Sequence, residues 1–410
     1  MTCGKNADGG NGVTIGRISK VVSEETGCSS VLRSPNDLPI SGSKQEFENF
    51  LEAADVSIIV ALHAFKCGDV LDAACGIDTV KTVLVLGGTD VNVDALSCAD
   101  NLLTLKRRAN AVDAIVAFSD SMVTAAPDGT LASDKVTVIA QGVQLPREQA
   151  EQGDDENAAE DEKSESLSND SRNNSLHCVL GVNKSTPVFL LPAGLRPVKD
   201  LLWSLDCVEA AASMLLNHDS RVESITDPST ASTEQGPAFV FAIVGPVLDA
   251  AYAETVAERI KGSQTLALLP AVSRFTTLEY VKDSVSVMNT SHSEGQSGAL
   301  LEAAACGTVI FARDIPGNRA LLELLDKAAE GFDVRASEEK SSEKKSSHHP
   351  CGFLFDSPET FAETMALLAT GDAATVAAAE KAAARAKRGA EGLAKRERDG
   401  WREVASSLLK

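Results

Sequence analysis

Glu294 and Glu302 stand eight positions apart in the run NTSHSEGQSGALLEAAACGTVIFARDIPGN, which spans Asn289 to Asn318. Just after the first acid come Gly295, Gln296, Ser297 and Gly298, where a helix should begin. The free N–H groups of a helix start hold anions, and the helix dipole adds to the attraction. Carboxylates beside such a start disfavour a bare phosphate, but they accept hydrogen bonds from hydroxyls. A ligand with both a diphosphate and several sugar hydroxyls meets both conditions, and that describes a nucleotide sugar. The plainer reading is a solvated helix with an acidic first turn.

The elements around the two acids must hold them in place. The run reads as a strand end, a glycine-bearing loop, a short helix that stops at Gly307 and a second strand from Thr308 to Ala312. That is half of a parallel α/β unit. Elsewhere VSIIVAL, KTVLVL, AVDAIVAFS, KVTVIAQGV, TPVFLLPAG, AFVFAIVGP, TLALLPAVS, SVSVMN and CGFLF are short apolar runs, as strands buried on both faces are. Helical stretches alternate with them through both halves of the chain, the signature of doubly wound sheets.

Ligands of such sheets gather at the C-terminal ends of strands. His63 directly follows VSIIVAL, and Thr89 and Asp90 follow KTVLVL in the run LGGTDVN. Arg196 and Lys199 follow TPVFLLPAG, where two cations could clamp a diphosphate. Gly245 ends AFVFAIVGP, and Gly10 and Gly12 belong to a glycine-rich loop opening the first helix. Only Met1, Thr2 and Cys3 precede the first glycine, so the apolar run expected of a first strand is missing.

The Glu294 to Glu302 motif resembles the donor site of the family-four retaining glycosyltransferases, and LGGTDVN with ALHAF upstream resembles their glycosyltransferase 1 domain-containing subgroup. The resemblance covers most of the chain. It implies a GT-B architecture, two Rossmann-like domains facing a cleft, and transfer of a hexose from a nucleotide diphosphate sugar to an acceptor with retention. It implies no essential metal and no cofactor beyond the sugar donor. It places Glu294 beside the donor hexose, Glu302 on the ribose hydroxyls and His63 toward the sugar. Arg196 and Lys199 fall at the diphosphate, with Gly295, Gln296 and Ser297 also on the donor. Gly10, Gly12, Thr89, Asp90 and Gly245 line the cleft in this reading. In the wider family the arginine stands further upstream, near Ala193 or Gly194, whereas the subgroup with GLRxVKD has it at Arg196.

These signals divide the chain into four parts. Residues 1–146 form an acceptor-side Rossmann-like domain, and 147–184 an acidic, Ser/Asn-rich linker too polar to order itself. Residues 185–372 form a nucleotide-sugar domain with a low-complexity insert at 335–349, where His348 and His349 read as a solvated loop. Residues 373–410 are C-terminal helices whose stretch around Trp401 returns to the first domain.

Composition narrows the partners. A net charge of −21 and an aromatic content of 4% argue against a nucleic-acid surface. Nine cysteines without a CxxC pair or a His/Cys cluster read as reduced thiols, and no run approaches the roughly 20 apolar residues of a membrane helix. The start of the chain has neither the basic end nor the apolar core of a signal peptide, so a cytoplasmic protein is expected. No Asp-x-Asp pair is placed to hold a cation beside phosphates. Two rivals remain: a serine hydrolase with Ser297 in an elbow-like turn, and a nucleotide-sugar binder without catalysis, suggested by the missing first strand.

Overall fold

The computed structural model describes residues 2–3, 10–143, 145, 175–223, 236–331 and 348–409. Most of the acidic linker and of the Ser/Lys-rich insert lies outside the described residues. In the first domain six parallel strands form one sheet in the order β2-β1-β3-β4-β5-β6. They are β1 (Thr2–Cys3), β2 (Leu32–Arg33), β3 (Ile58–Leu62), β4 (Lys81–Val85), β5 (Ala114–Ala117) and β6 (Val136–Val138). The helices among them are α1 (Gly10–Thr26), α2 (Lys44–Ala53), α3 (Gly68–Ala74), α4 (Ala95–Ser97), α5 (Ala99–Ala111) and α6 (Asp120–Ala125). The first strand is therefore present. It is only two residues long, but it pairs on both sides, Thr2 with Leu32 and Val60, and Cys3 with Arg33 and Ala61. Gly10 and Gly12 lie in the first turn of α1 rather than in a loop.

The second domain begins earlier than the sequence suggests. Residues 175–184, read as the end of the linker, include α7 (Leu176–Leu180), whose Leu176 is fully buried and donates its N–H to Asp283. Seven strands then form a sheet in the order β12-β13-β11-β10-β7-β8-β9. They are β7 (Val188–Pro192), β8 (Val240–Val244), β9 (Leu266–Leu269), β10 (Ser286–Asn289), β11 (Val309–Arg313), β12 (His348–His349) and β13 (Gly352–Phe355). All pairings are parallel except that of β12 with β13, so His348 and His349 are an edge strand and not a loop. The helices are α8 (Leu201–Glu223), α9 (Ala250–Ile260), α10 (Arg274–Asp283), α11 (Gly298–Cys306), α12 (Pro316–Ala329), α13 (Pro358–Thr370) and α14 (Ala373–Leu408).

Alternation along the strands sorts this core into two layers. Phe189, Leu191, Phe241, Ile243 and Phe311 face α8 and α13. Val188, Leu190, Ala242, Ile310 and Ala312 face the other way, toward α11, α12 and α14. The C-terminal segment is one helix and not several. At 36 residues α14 is about 54 Å long, and it enters both domains: Ala386, Ala390 and Leu393 belong to the second core, Trp401 and Val404 to the first. Small residues let it pass closely, since a Cβ on Gly389 would lie 2.2 Å from the Leu325 carbonyl oxygen. No helix among the described residues is long and apolar enough to cross a membrane.

Candidate active site

The loop from β10 to α11 carries Glu294 at the mouth of the cleft. Its Oε1 accepts from Lys199 Nζ at 2.5 Å, Ser291 Oγ at 2.7 Å and Asn289 Nδ2 at 3.1 Å. Lys199 comes from the turn after β7, where Asp200 adopts φ 50°, ψ 45°. That turn is stapled to the Glu294 loop: Thr290 Oγ1 donates to the Lys199 carbonyl at 2.7 Å and His292 N–H to the Val198 carbonyl at 3.0 Å. Arg313, at the end of β11, donates to Asp200 at 2.7 Å and to the Thr290 carbonyl at 3.0 Å. Its guanidinium lies 4.2 Å from the ring centre of Trp203, a cation–π contact.

Burial acts to raise the Glu294 carboxyl, but the charge and hydrogen bond of Lys199, with Ser291 and Asn289, outweigh it and hold the group below the ordinary carboxylate range. An acid depressed in the folded state adds stability that is present above its unfolded value and is lost as pH falls through its folded value. Urea unfolding of the wild type and of Glu294→Gln between about pH 7 and about pH 3 checks this. The wild type should lose ground to the variant once the pH drops below the ordinary glutamate value of 4.5. A stability gap that stays constant across that range would contradict the assignment.

Across the cleft the first domain supplies an uncharged polar wall. A cavity of about 240 Å³ lies between Asn92, Ser119, Ser121 and Met122 on one side and the 292–295 loop with the start of α12 on the other. The two walls touch at glycines: a Cβ built on Gly88 would stand 3.5 Å from the Gly295 Cα. Gln296 bridges the domains, its Oε1 accepting the Gln141 N–H at 3.0 Å. Gln141 in turn accepts from Arg17 at 2.9 Å, and Arg17 pairs with Glu397 of α14 at 3.0 Å. Sequence analysis named none of these first-domain residues individually; the signal available was that Asn92 belongs to the polar run LGGTDVN and that Ser119, ending AVDAIVAFS, is a helix-capping residue type. A larger cavity of about 350 Å³ sits at the N-terminal end of β3, among Val22, Phe50 and Val56, and holds none of these residues.

The other residues singled out from the sequence are distributed as follows. Ser297 caps α11 without a side-chain bond to its amides, so the helix start is open, and its Oγ accepts from Asn289 at 3.2 Å. Glu302 pairs with Arg274 at 2.7 Å. Arg196 is exposed at the N-cap of the short turn that carries Lys199, and a second cation, Arg313, holds the other end of that turn through Asp200. His63 is 1% exposed, with φ 79°. Its Nδ1 accepts backbone N–H groups from Phe65 and Lys66, which leaves the proton on Nε2, 3.0 Å from Thr89 Oγ1 and 3.3 Å from Asp94. Burial pushes its pKa down. Thr89 is exposed beside it.

Asp90 does not line the cleft. It is fully buried and accepts the N–H groups of Ala64, Gly87 and Val91, which ties the ends of β3 and β4 together. Gly245 is required by packing, because a Cβ there would lie 2.2 Å from the Ala193 carbonyl oxygen. Among the described residues no group of three or more His, Cys, Asp or Glu side chains is placed to hold a metal ion.

Two parallel-sheet α/β domains, a cleft walled by the C-terminal ends of their strands and a helix that returns from the second domain to the first define the GT-B fold. Solved structures agree along nearly the full length. The crystal structure of Anabaena HepE in complex with UDP-glucose is similar with a TM-score of 0.62 at 14% identity, covering 99% of this chain and 98% of that one. A glycosyltransferase from Rickettsia africae is similar with a TM-score of 0.61 at 14% identity, covering 100% and 98%. No family model matches the chain. Over 137 residues it is 27% identical to glycosyltransferase 1 domain-containing protein 1 of Xenopus tropicalis, and the match spans 33% of each protein.

Proposed function

We propose that the protein is a GT-B glycosyltransferase that moves a hexose from a nucleotide diphosphate sugar to an acceptor hydroxyl with retention. The observation that carries this reading is the Lys199–Glu294 pair at 2.5 Å, set beside the start of α11, whose amides take no bond from the Ser297 side chain, at the edge of the interdomain cleft. The open amides and Lys199 suit a diphosphate, and the second oxygen of Glu294, on which no bond falls among the described residues, suits a sugar hydroxyl. In the reaction the bond from the anomeric carbon to the β-phosphate oxygen breaks. The acceptor oxygen bonds to that carbon on the same face, and its proton passes to the departing diphosphate, whose charge Lys199 offsets. Glu302 would receive the ribose once Arg274 yields it, and Ser119 and Ser121 offer hydroxyls to the acceptor side. The reaction as written needs no metal.

The likeness to a structure holding UDP-glucose makes that donor the first probe. Calorimetry with UDP and UDP-glucose, beside an assay for released UDP and an NMR assignment of the product anomer in buffer containing a chelator, tests the reading. Binding with slow release of UDP is expected. Binding with no turnover on any donor or acceptor would favour the non-catalytic binder. The hydrolase reading is disfavoured because Ser297 Oγ is held by an amide and no imidazole bonds to it among the described residues.

A further inference from the structure

We infer that Asn318, which lies behind the cleft wall, fixes the amide of Asn289 and through it the position of the Glu294 carboxylate; it is a positioning residue for the reaction proposed above, and the inference rests on that reading of Glu294. Asn318 is fully buried in the first turn of α12. Its Nδ2 donates to the Arg313 carbonyl at 3.0 Å and to Asn289 Oδ1 at 3.2 Å. Asn289 Oδ1 also accepts the Ser291 N–H at 3.1 Å, while its Nδ2 donates to Glu294 Oε1 at 3.1 Å and to Ser297 Oγ at 3.2 Å.

The polarity of this chain follows from groups that have only one role. A backbone carbonyl only accepts, so Arg313 decides which end of Asn318 is the NH₂. A backbone N–H only donates, so Ser291 decides the same for Asn289. Neither amide can turn over without setting donor against donor or acceptor against acceptor. A one-way series of bonds therefore runs from the end of β11, through the end of β10, to the carboxylate. The helix that carries Asn318 cannot advance toward the loop either, since Gly317 is pressed against it so closely that a Cβ would lie 2.0 Å from the Glu294 carbonyl oxygen.

Asn318 is not the residue that stability alone would place there. Its Oδ1 is buried with no hydrogen-bond partner among the described residues, a penalty that an apolar side chain of similar shape avoids. What asparagine adds is the NH₂ that holds Asn289. Among charged groups, Lys199 faces Glu294 directly and Arg313, Asp200 and His292 lie on the same side, while the described residues that line the cavity opposite, Asn92, Ser119, Ser121, Met122 and Ala125, are uncharged.

The test uses the full chain carrying ¹³C-labelled glutamate, with the Glu294 carboxyl signal identified by its loss in Glu294→Gln, and the variants Asn318→Leu and Asn318→Ala. Each variant that folds should move the Glu294 titration midpoint upward relative to wild type, by about half a pH unit or more. Release of UDP from UDP-glucose should fall about tenfold in kcat with KM within about twofold. Asn318→Leu should keep its thermal midpoint, and Asn318→Ala decides the matter if leucine overpacks. Loss of stability with an unmoved Glu294 midpoint, or no change in either, overturns the inference. If the wild type binds no UDP- or GDP-sugar and releases no nucleoside diphosphate from any of them, the proposed function fails, while the titration still decides the role of Asn318.

Discussion

Replacing Lys199 with alanine should lower the release of UDP from UDP-glucose by about a hundredfold to a thousandfold in kcat, the range seen when a single group stabilising developing charge is removed. Two effects combine. The departing diphosphate loses the cation that offsets it, and Glu294 keeps its burial while losing the partner that outweighs that burial. The carboxyl should therefore titrate higher in the variant. Stability should fall by about 1–3 kcal/mol, the cost of leaving a buried polar group without its partner. Lys199→Arg should recover part of the turnover, because charge is kept while geometry is not. The double change Lys199→Ala with Glu294→Gln should recover stability and not activity. Steady-state kinetics and urea unfolding on the wild type and the three variants decide it. Turnover within about threefold of wild type in Lys199→Ala would remove this residue from the chemistry.

Trp401→Ala should cost about 3–5 kcal/mol of stability, as truncations of large buried aromatics do. Trp401 is 1% exposed and completes the core of the first domain from α14, whose preceding turns pack in the second. Hydrogen exchange should consequently accelerate first in β3, β4 and β5 and later in β7 and β10. Denaturant unfolding with exchange measured by mass spectrometry checks both parts. Equal acceleration in the two sheets would mean that α14 does not divide its contributions between the domains in this way.

Much of the frame could be read from the residues alone. Runs such as VFLLP and VFAIV announce strands buried on both faces, and α11 stops at Gly307 as expected, with that glycine in the left-handed conformation, φ 76°. The spacing of Glu294 from the helix start depends only on local chain geometry, so the loop and helix were legible. Features set by distant partners were not. A strand of two residues is too short for any periodicity, and β1 is recognisable only from its neighbours on both sides. Arg196 and Arg313 both follow strands, and nothing in sequence says that one stays exposed while the other lies over Trp203 and holds Asp200. Asp90 looked like a polar group at a sheet edge, yet it turns inward to collect backbone N–H groups. The first-domain wall of the cleft depends on how two domains meet, which local pattern does not encode.

The long helix α14 also bears on how the molecule is made. Domains usually mature in order of synthesis, the earlier one closing while the later is still being translated. Here the earlier one lacks its tryptophan until the ribosome has passed through the later one. A nascent chain must hold an unfinished first half, with apolar surface waiting for its plug, and is a natural client for chaperones during that interval.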